Sequence, residues 1–203
     1  MDLSFYLIIF VLAENTQFQN SPTTHIQGKM TNRIFTRFPI LKTDRLILRQ
    51  LVNTDDNEIF ALRSDENVNR YLGRQPSKSI EDAKSFIQTI NENVKNNNSI
   101  YWAISLGDKL IGTICLFEFS DDIAKAEIGY ELLPSYQGKG FMQEAVSQVL
   151  EFGFGHIRLN SIEAYTHSEN QNSTNLLEKF NFKKQLSSEN NSDKNFIVFK
   201  LLK

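Results

Sequence analysis

The sequence lacks several features that particular classes of protein require. Its 203 residues include one cysteine, Cys115, so an internal disulfide is excluded, and one thiol with three scattered histidines lacks zinc-ligand spacing. Lysine and arginine number 22 against 24 aspartate and glutamate, a formal net charge of -2. Without a strong positive field, nucleic-acid binding is not the expected function. We predict a protein of a reducing compartment, the cytoplasm, with no metal site.

The sequence also lacks a long hydrophobic run. The apolar segment at residues 3–13 falls short of the roughly 20 residues that a membrane-spanning helix needs, so no membrane partner is expected. Asp2 precedes that segment, where a signal peptide carries positive charge. We interpret residues 1–29 as an extension outside the functional domain, which we place at residues 30–203. A start codon assigned too early, with Met30 the true start, a hydrophobic arm and a processed signal all stay open.

The remaining composition is that of a globular protein, with 40% hydrophobic, 23% charged and 11% aromatic residues. Strand-like and helix-like patterns alternate along the chain. The predicted strands lie around residues 46–48, then at 100–106, 110–119, 125–132, 161–165, from 182 onward and at 195–201. The predicted helices cover residues 55–63, 66–71, a stretch capped by Ser79 and ended by residues 96–98, 140–157 and 173–180. This order predicts an α/β (α+β) fold built on a mixed sheet.

One stretch, residues 127–145, carries a signal for ligand binding. Pro134 removes a backbone donor and ends the preceding strand, and residues 137–140 (QGKG) lead directly into a helix. Glycines let the backbone curl around a ligand, and the free N–H groups of a helix's first turn attract an anion. The pattern predicts a phosphate-bearing ligand at residues 138–142. Neither an ATP-type GxxxxGK[ST] loop nor GxGxxG is present, and the tetrapeptide alone could be a plain tight turn.

Motifs elsewhere in the chain resemble those of one known family. Residues 43–49 (TDRLILR) are similar to the opening strand of the RimJ/RimL branch of the GNAT superfamily, with Asp44 for the usual Glu. Residues 127–130 (EIGY) followed by 137–142 (QGKGFM) resemble the pyrophosphate loop of that superfamily, (Q/R)xxGx(G/A). Met142 stands where Gly or Ala is commoner.

A third match follows near the end of the chain. Residues 170–173 (NQNS) and 177–182 (LEKFNF) look like the NxxS…KxGF segment, with Asn181 in place of the usual Gly. Asn also tolerates a left-handed helix cap, so the geometry can survive this replacement. With three motifs in this order, residues 41–202 resemble the GNAT acyl-CoA N-acyltransferases, closest to the RimJ/RimL branch, which acetylates N-terminal amines of ribosomal proteins.

The resemblance implies a fold and a cosubstrate. It implies the GNAT fold, with a mixed, largely antiparallel sheet that splays at the acetyl-CoA site and is flanked by helices. The pantetheine arm of acetyl-CoA would lie between the strand ends near residues 132–133 and 162–165, paired with main-chain groups, and the pyrophosphate would lie on the glycine loop. The predicted cofactor-binding residues are Leu132, Leu133, Gln137, Gly138, Lys139, Gly140, Phe141, Met142, Asn170 and Ser173.

Acetyl transfer to an amine also needs a base and a partner for the leaving thiolate. We predict Glu127 as the base, acting through water, and Ser173 as the hydrogen-bond partner of the thiolate. A backbone N–H near Leu132 would stabilise the developing negative charge on the thioester oxygen. For Glu127 a structural role in a buried network stays open, as does a helix-capping role for Ser173. Many GNAT enzymes use a Tyr in the helix that follows, where this chain has Leu176 and Leu177.

Five other side chains are candidates for the core or the site. We expect Cys115 to be a small buried residue and Glu144 to be structural or solvated, and neither is assigned a catalytic role. Trp102, Phe117 and Phe119 could line the acceptor site, although core packing is the favoured role for all three.

The acceptor is the least determined part of the prediction. We expect a protein or peptide N-terminus, because an α-amine has a pKa of about 7.7–8.0 and needs only a mild base, unlike a lysine at about 10.4. A small-molecule amine (a polyamine, amino acid or antibiotic) is the alternative, favoured by a deep acidic pocket over an open groove. A non-catalytic CoA-binding sensor module is the other alternative. Monomer and homodimer both stay open.

Overall fold

A computed structural model of the chain describes residues 34–35, 37–185 and 195–203. The predicted extension at residues 1–29 and the proposed start at Met30 lie outside the described residues. Eight strands form one sheet. They are β1 (Leu41–Lys42), β2 (Ile47–Gln50), β3 (Ile100–Leu106), β4 (Lys109–Ser120), β5 (Lys125–Leu132), β6 (Ser161–His167), β7 (Lys183–Lys184) and β8 (Phe196–Leu202).

Helices flank this sheet. They are α1 (Asp56–Ser64), α2 (Glu66–Asn69), α3 (Ile80–Lys95), α4 (Phe141–Glu151) and α5 (Gln171–Lys179), with short 3-10 turns at Asn53–Asp55 and Pro134–Tyr136. The strand order is β1-β2-β3-β4-β5-β6-β8-β7. Every neighbouring pair is antiparallel except β5 and β6, which are parallel. The predicted mixed, largely antiparallel sheet is confirmed. No helix among the described residues is both long and apolar enough to span a membrane.

Local sequence explains the long helix α3 and the hairpin that follows it. The Ser79 hydroxyl accepts the N–H of Asp82, and the Asp82 carboxylate accepts the N–H of Ser79, which forms the predicted capping box. The apolar side chains of α3 recur at helical spacing and are buried: Ala83, Phe86, Ile87, Ile90 and Val94. Beyond α3, Gly107 takes a positive φ of 59° at the turn between β3 and β4.

The sheet splays between β5 and β6, as predicted. Their register covers only the three pairs from Lys125 with Ser161 to Glu127 with Glu163. Both strands then continue, β5 to Leu132 and β6 to His167, without pairing to each other. The unpaired main chain leaves a gap at one edge of each strand, and this gap positions the candidate site.

The core confirms one interpretation of the aromatic residues. Trp102 is fully buried, packs edge-on against Phe152 with ring centroids 5.5 Å apart, and donates its indole N–H to the carbonyl of Pro39 at 2.8 Å. It therefore belongs to the core and not to the site. Cys115 is also buried, as expected.

The helix predicted at residues 140–157 is confirmed, with a change of type inside it: Phe141–Glu151 is α-helical and Phe152–Ile157 is π-helical. A Cβ on Gly153 would lie 3.0 Å from the Cδ1 atom of Ile162, so glycine permits the close approach of this segment to β6. The last predicted helix begins at Gln171 and not at Ser173, because the side chain of Asn170 provides its N-cap.

Candidate active site

The gap between β5 and β6 opens into two cavities that share a boundary. The loop cavity, about 520 Å³, reaches the glycine loop at residues 137–140 and the start of α4. The strand cavity, about 340 Å³, extends along β4, β5 and β6 towards Glu127. Both cavities are lined by Tyr71, Leu72, Tyr130, Glu131, Asn170 and Ser173. A ligand in one cavity would therefore meet a ligand in the other beside these side chains.

Most of the residues predicted to bind a cofactor line the loop cavity. They are Leu132, Gln137, Gly138, Gly140, Phe141, Met142, Asn170 and Ser173. Leu133 and Lys139 do not line it. The N–H of Leu133 donates to the carbonyl of Ile111 at 3.0 Å, and the carbonyl of Leu133 accepts from the N–H of Tyr136 at 2.9 Å. The N–H of Leu133 therefore already has an acceptor in the protein, and the pairing of Leu133 with a ligand stays a prediction. The Lys139 ammonium donates a hydrogen bond to the carbonyl of Ser135 at 2.7 Å.

The glycine loop has the geometry of an anion site. Gly138 and Gly140 take positive φ values of 73° and 80°, which glycine adopts without strain. Gly140 is the N-cap of α4, and its carbonyl accepts the N–H of Glu144 at 3.1 Å. This is the first hydrogen bond of the helix. The N–H groups of the residues before Glu144 therefore have no acceptor within α4, and they lie at the positive end of the helix dipole.

Side chains of the motif at residues 43–49 contact the glycine loop and the start of α4. The Arg45 guanidinium donates to the carbonyl of Lys139 at 3.1 Å, forms an ion pair with Glu144, and lies 4.3 Å from the ring centroid of Phe141. Thr43 donates its hydroxyl to the same carboxylate at 2.7 Å. Burial opposes ionisation of Glu144, but these hydrogen bonds outweigh it and hold its pKa below the ordinary value. Glu144 is structural, as expected.

The main chain of β5 presents the amide of Leu132 to the gap. Because Leu133 directs its N–H towards β4, strand alternation directs the main-chain groups of Leu132 towards the gap. The carbonyl of Leu132 accepts from the side chain of Gln137 at 2.9 Å. Its N–H thus lies where the sequence analysis placed the group that stabilises negative charge on a thioester oxygen.

Ser173 and Tyr130 form a hydroxyl pair at the boundary of the two cavities. Their oxygens are 2.9 Å apart. The predicted capping role of Ser173 is wrong, because Asn170 accepts the Ser173 N–H at 3.2 Å and leaves the Ser173 hydroxyl available to Tyr130. Burial raises the pKa of Tyr130 to about 12, although the bond to Ser173 lowers it, so the phenol stays protonated.

Sequence reasoning missed Tyr130, although a signal for it existed. The resemblance points to a phenol in α5, where this chain has Leu176 and Leu177. Tyr130 belongs to the EIGY motif and lies two residues before Leu132, so its main chain is on the gap side of the same strand. Only the packing of β5 against α5 brings its hydroxyl to Ser173.

Glu127 is a half-buried carboxylate in the wall of the strand cavity. Among the residues that the structure describes, it makes no hydrogen bond or ion pair. Burial raises its pKa to about 7, the negative charges of Glu118 and Glu163 add to the shift, and Lys125 opposes it. A carboxylate with this pKa exchanges protons near neutral pH, which is the property required of a general base.

The buried network considered as the alternative role for Glu127 surrounds Glu131 instead. Both oxygens of Glu131 accept from the guanidinium of Arg74, each at 2.8 Å, and both side chains are almost completely buried. Arg74 also donates to the side chain of Asn69. This ion pair joins the segment between α2 and α3 to β5, and nothing in the sequence predicts it.

The segment held by Arg74 forms one side of both cavities. Tyr71 and Leu72 line each of them, and Gly73 lines the strand cavity. The Tyr71 ring stacks on the imidazole of His167 with centroids 5.4 Å apart, and His167 in turn meets the ring of Phe196 at 5.5 Å. The loop after α2 and the end of β6 therefore meet across the gap.

Aromatic side chains supply much of the remaining wall. Phe117 and Phe119 line the strand cavity, in addition to packing at the edge of the core. Cys115 lines the same cavity, its thiol lies 3.6 Å from the carbonyl oxygen of Gly129, and burial raises the pKa of that thiol. Within the described parts of the chain, no group of three or more His, Cys, Asp or Glu side chains could hold a metal ion.

Comparisons with known proteins agree with this geometry. The model of the acetyltransferase (GNAT) domain matches residues 45–183. Over 150 residues the chain is 41% identical to "Uncharacterized N-acetyltransferase YoaA" of Bacillus subtilis, covering 73% of this chain and 85% of the relative.

Solved structures share the fold. The ribosomal L7/L12 alpha-N-protein acetyltransferase RimL, in complex with coenzyme A, superimposes with a TM-score of 0.72 at 16% identity, over 81% of this chain and 98% of RimL. The ribosomal-protein-S5-alanine acetyltransferase of Vibrio fischeri gives a TM-score of 0.68 at 21% identity, over 81% of this chain and 96% of that protein. The match of the domain model and the 41% identical relative, together with the splayed sheet and the glycine loop, show that the chain belongs to the GNAT family of N-acetyltransferases.

Proposed function

We propose that this protein transfers the acetyl group of acetyl-CoA directly to an α-amine, chiefly at a protein or peptide N-terminus. The observation that carries the proposal is the meeting of the two cavities at Tyr130 and Ser173, with Glu127 in the wall of the strand cavity. In this arrangement acetyl-CoA occupies the loop cavity and the acceptor enters the strand cavity. A thioester cosubstrate and a single reduced cysteine fit a cytoplasmic reaction.

The loop cavity offers the groups that acetyl-CoA requires. The glycine loop and the first turn of α4, residues 138–142, would bind the pyrophosphate through main-chain N–H groups. The N–H of Leu132 would pair with the pantetheine arm or the thioester oxygen. The RimL structure, which shares this fold, contains coenzyme A.

The chemistry follows from the side chains at the boundary. Glu127 accepts a proton from the acceptor ammonium through water, and the neutral amine then attacks the thioester carbon. The N–C bond forms, the C–S bond breaks, and the leaving sulfur receives a proton from the hydroxyl pair of Ser173 and Tyr130. The nitrogen still carries one proton more than the amide product, and it gives up this proton through water, which restores the hydroxyl pair. A protonated phenol beside Ser173 can replace the proton that the serine gives up.

The pKa of Glu127 supports an α-amine as the acceptor. A base with a pKa of about 7 is well matched to an α-ammonium group at about 7.7–8.0, of which roughly a tenth is already neutral at pH 7. A lysine side chain or a polyamine nitrogen has a pKa near 10.4, so the same base would remove its proton much less readily. Both RimL and the S5-alanine acetyltransferase bear names that describe acetylation of proteins.

A small-molecule amine is the second candidate, and the shape of the strand cavity favours it. At about 340 Å³ with Glu127 in its wall, the cavity is a pocket and not an open groove. A pocket of this size holds a small ligand completely, whereas of a peptide it holds only the first residue or two.

The test combines binding with turnover in the full-length protein. Acetyl-CoA is titrated by calorimetry, and thiol release is then followed with Ala-, Ser- and Met-starting peptides, free amino acids and spermidine. The proposal expects binding, with release on peptides. Release confined to small amines would select the second candidate. Binding without release on any amine would support a CoA-binding module, and an absence of binding would contradict the assignment of the loop cavity.

A further inference from the structure

We infer that the acceptor carries one positive charge and a large apolar or aromatic group next to its primary amine. This inference rests on the proposed function, because it assigns the strand cavity to the acceptor. The chemistry is shared by two sources, an N-terminal residue with a bulky side chain and a free arylalkylamine. Three properties of the cavity carry the inference: its charges, its walls and its size.

The charged side chains near the strand cavity favour an acceptor with a single positive charge. Glu127 and Glu131 of β5 line the strand cavity, and Glu163 of β6 is the register partner of Glu127. Two of these three carboxylates are already neutralised. Glu131 is paired with Arg74, and Glu163 accepts from Lys125 at 2.8 Å and from Lys200 at 3.1 Å.

Glu127 is therefore the carboxylate within the strand cavity that can receive a substrate ammonium. Glu118 is exposed at the rim, and Lys125 lines the same cavity. Inside the cavity, the second ammonium of a polyamine would lie against the charge of Lys125 or against apolar walls, and both arrangements are unfavourable. At the exposed Glu118 it could form an ion pair, but solvent screening makes such a pair weak.

The walls beside Glu127 are aromatic. Phe117 and Phe119 of β4 line the cavity from one strand, Phe196 of β8 lines it from another, and Tyr71 closes it from the loop after α2. The Tyr101 hydroxyl is satisfied by Thr113 at 2.9 Å, so this pair offers little hydrogen bonding to a ligand. Aromatic walls stabilise an apolar group on the acceptor by burying its surface, whereas a small polar amine makes few contacts with them.

The size limits the acceptor to one bulky group. A cavity of about 340 Å³ lies at the lower end of the range for small-ligand sites. Tyr71 and His167 stack across the gap on one side of it, which confines the apolar group of the acceptor.

The experiment compares matched acceptors with the full-length protein at saturating acetyl-CoA. Thiol release is measured with phenylalanine amide, methionine amide, alanine amide, lysine amide and spermidine. We expect kcat/KM for phenylalanine amide to exceed that for alanine amide by about 10–100-fold, the effect of burying one aromatic side chain. Lysine amide and spermidine should be poorer than methionine amide.

Two further acceptors distinguish the sources. A Phe-Gly-Gly peptide has the bulky group on an N-terminus, whereas 2-phenylethylamine has it on a free amine. Preference for the peptide assigns the site to N-termini, and preference for 2-phenylethylamine assigns it to small molecules. Either result supports the inference if kcat/KM is lower for the corresponding acceptor that has alanine in place of the bulky group.

Variants of Tyr71 test the wall itself. Tyr71→Ala should lower the ratio of kcat/KM for phenylalanine amide over alanine amide by about 3–10-fold, while Tyr71→Phe, which keeps the ring, should preserve the ratio. An equal loss for both amides in Tyr71→Ala would overturn the role of this wall.

Different results would contradict the inferred acceptor and the proposed acetyl transfer. A preference for alanine amide or spermidine overturns the inference and leaves the proposed acetyl transfer intact. Binding of acetyl-CoA without release on any of these amines overturns both.

Discussion

The two cavities of the site are built by different means. The loop cavity takes its polar groups from the main chain of one short segment, residues 137–142, where two glycines adopt positive φ values. The strand cavity takes its groups from side chains on β4, β5, β6 and the loop after α2, which are distant in sequence. The comparison teaches that a main-chain site can be recognised from contiguous sequence, whereas a side-chain site depends on how strands and loops are assembled.

The same contrast holds between two carboxylates of one strand. Glu127 and Glu131 both lie in β5 and both line the strand cavity. Glu131 meets Arg74 in a bidentate ion pair, while Glu127 has a raised pKa and makes no ion pair within the described residues. One carboxylate holds the site together, and the other is available for proton transfer.

Replacing Glu127 should produce the largest loss of activity. We expect Glu127→Gln to lower kcat by about 10²–10⁴-fold, the usual effect of removing a general base. Because the base acts when deprotonated, the wild-type rate should rise with pH and level off above about 7, and the variant should lose this rise. Initial rates from pH 5.5 to 9 measure both effects. Glu151→Gln, an exposed glutamate that lines neither cavity, is the matched control, and an unchanged profile in Glu127→Gln would refute the assignment.

Replacing Glu131 should instead produce the largest loss of stability. Glu131→Gln leaves the buried charge of Arg74 without its partner, and we expect the free energy of unfolding to fall by about 3–5 kcal/mol. Urea denaturation at pH 7 measures this change. The double variant Arg74→Met/Glu131→Gln, in which neither charge is buried, should recover part of the loss. A single variant as stable as the wild type would contradict the structural role of the pair.

The loop cavity can be weakened through one glycine. Gly140→Ala places a Cβ on a residue with φ near 80°, which costs about 1–2 kcal/mol, so we expect the acetyl-CoA Kd to rise by about 5–30-fold. Calorimetric titration measures the Kd. Gly155→Ala is the control, because a Cβ there meets no atom within 4 Å and φ is not positive. Equal affinities in both variants would argue against pyrophosphate binding at this loop.

The raised pKa of Glu127 also predicts a stability effect of the opposite sign to that of Glu131. Folding favours the protonated form of Glu127, so its contribution to stability is complete below the unfolded pKa, near 4.3, and is lost as the pH rises through about 7. At pH 8, Glu127→Gln should therefore be more stable than the wild type by about 1–2 kcal/mol, after allowance for solvent screening. Urea denaturation at pH 4 and pH 8 tests this, and a gain that is equal at both values would contradict it.

The hydroxyl pair should give the smallest effect. Tyr130→Phe and Ser173→Ala each remove one oxygen of the 2.9 Å contact, and we expect each to lower kcat by about 3–10-fold with little change in the acetyl-CoA Kd. In the double variant the losses should be less than additive, because both oxygens serve one hydrogen bond. Single-turnover rates for the four proteins measure the coupling. Full additivity would show that the two hydroxyls act separately.

Sequence patterns predicted the elements whose signals are local. The capping box at Ser79 and the hairpins of β3, β4 and β5 depend on residues close together in the chain, and the structure agrees with them. The start of α5 was misplaced because Asn170 and Ser173 are both good N-cap residues, and only the fold shows that Asn170 is the cap. The helical span of residues 140–157 was also predicted, although its change from an α-helix to a π-helix at Phe152 was not.

The site divides in the same way. The glycine loop, Glu127 and Ser173 could be named from motifs. The partners that define their environment could not, because Tyr130 meets Ser173 from 43 positions away and Arg74 meets Glu131 from 57 positions away. No spacing rule in a single sequence identifies such pairs.

By itself, the sequence determined the order of strands and helices, the glycine loop and the family, since each depends on short segments with their own conformational preferences. The tertiary structure decided which carboxylate is paired and which is available, and what surrounds the acceptor. The physical reason is that burial and charge pairing set the pKa of Glu127 and neutralise Glu131, and both arise from chain segments brought together only by folding.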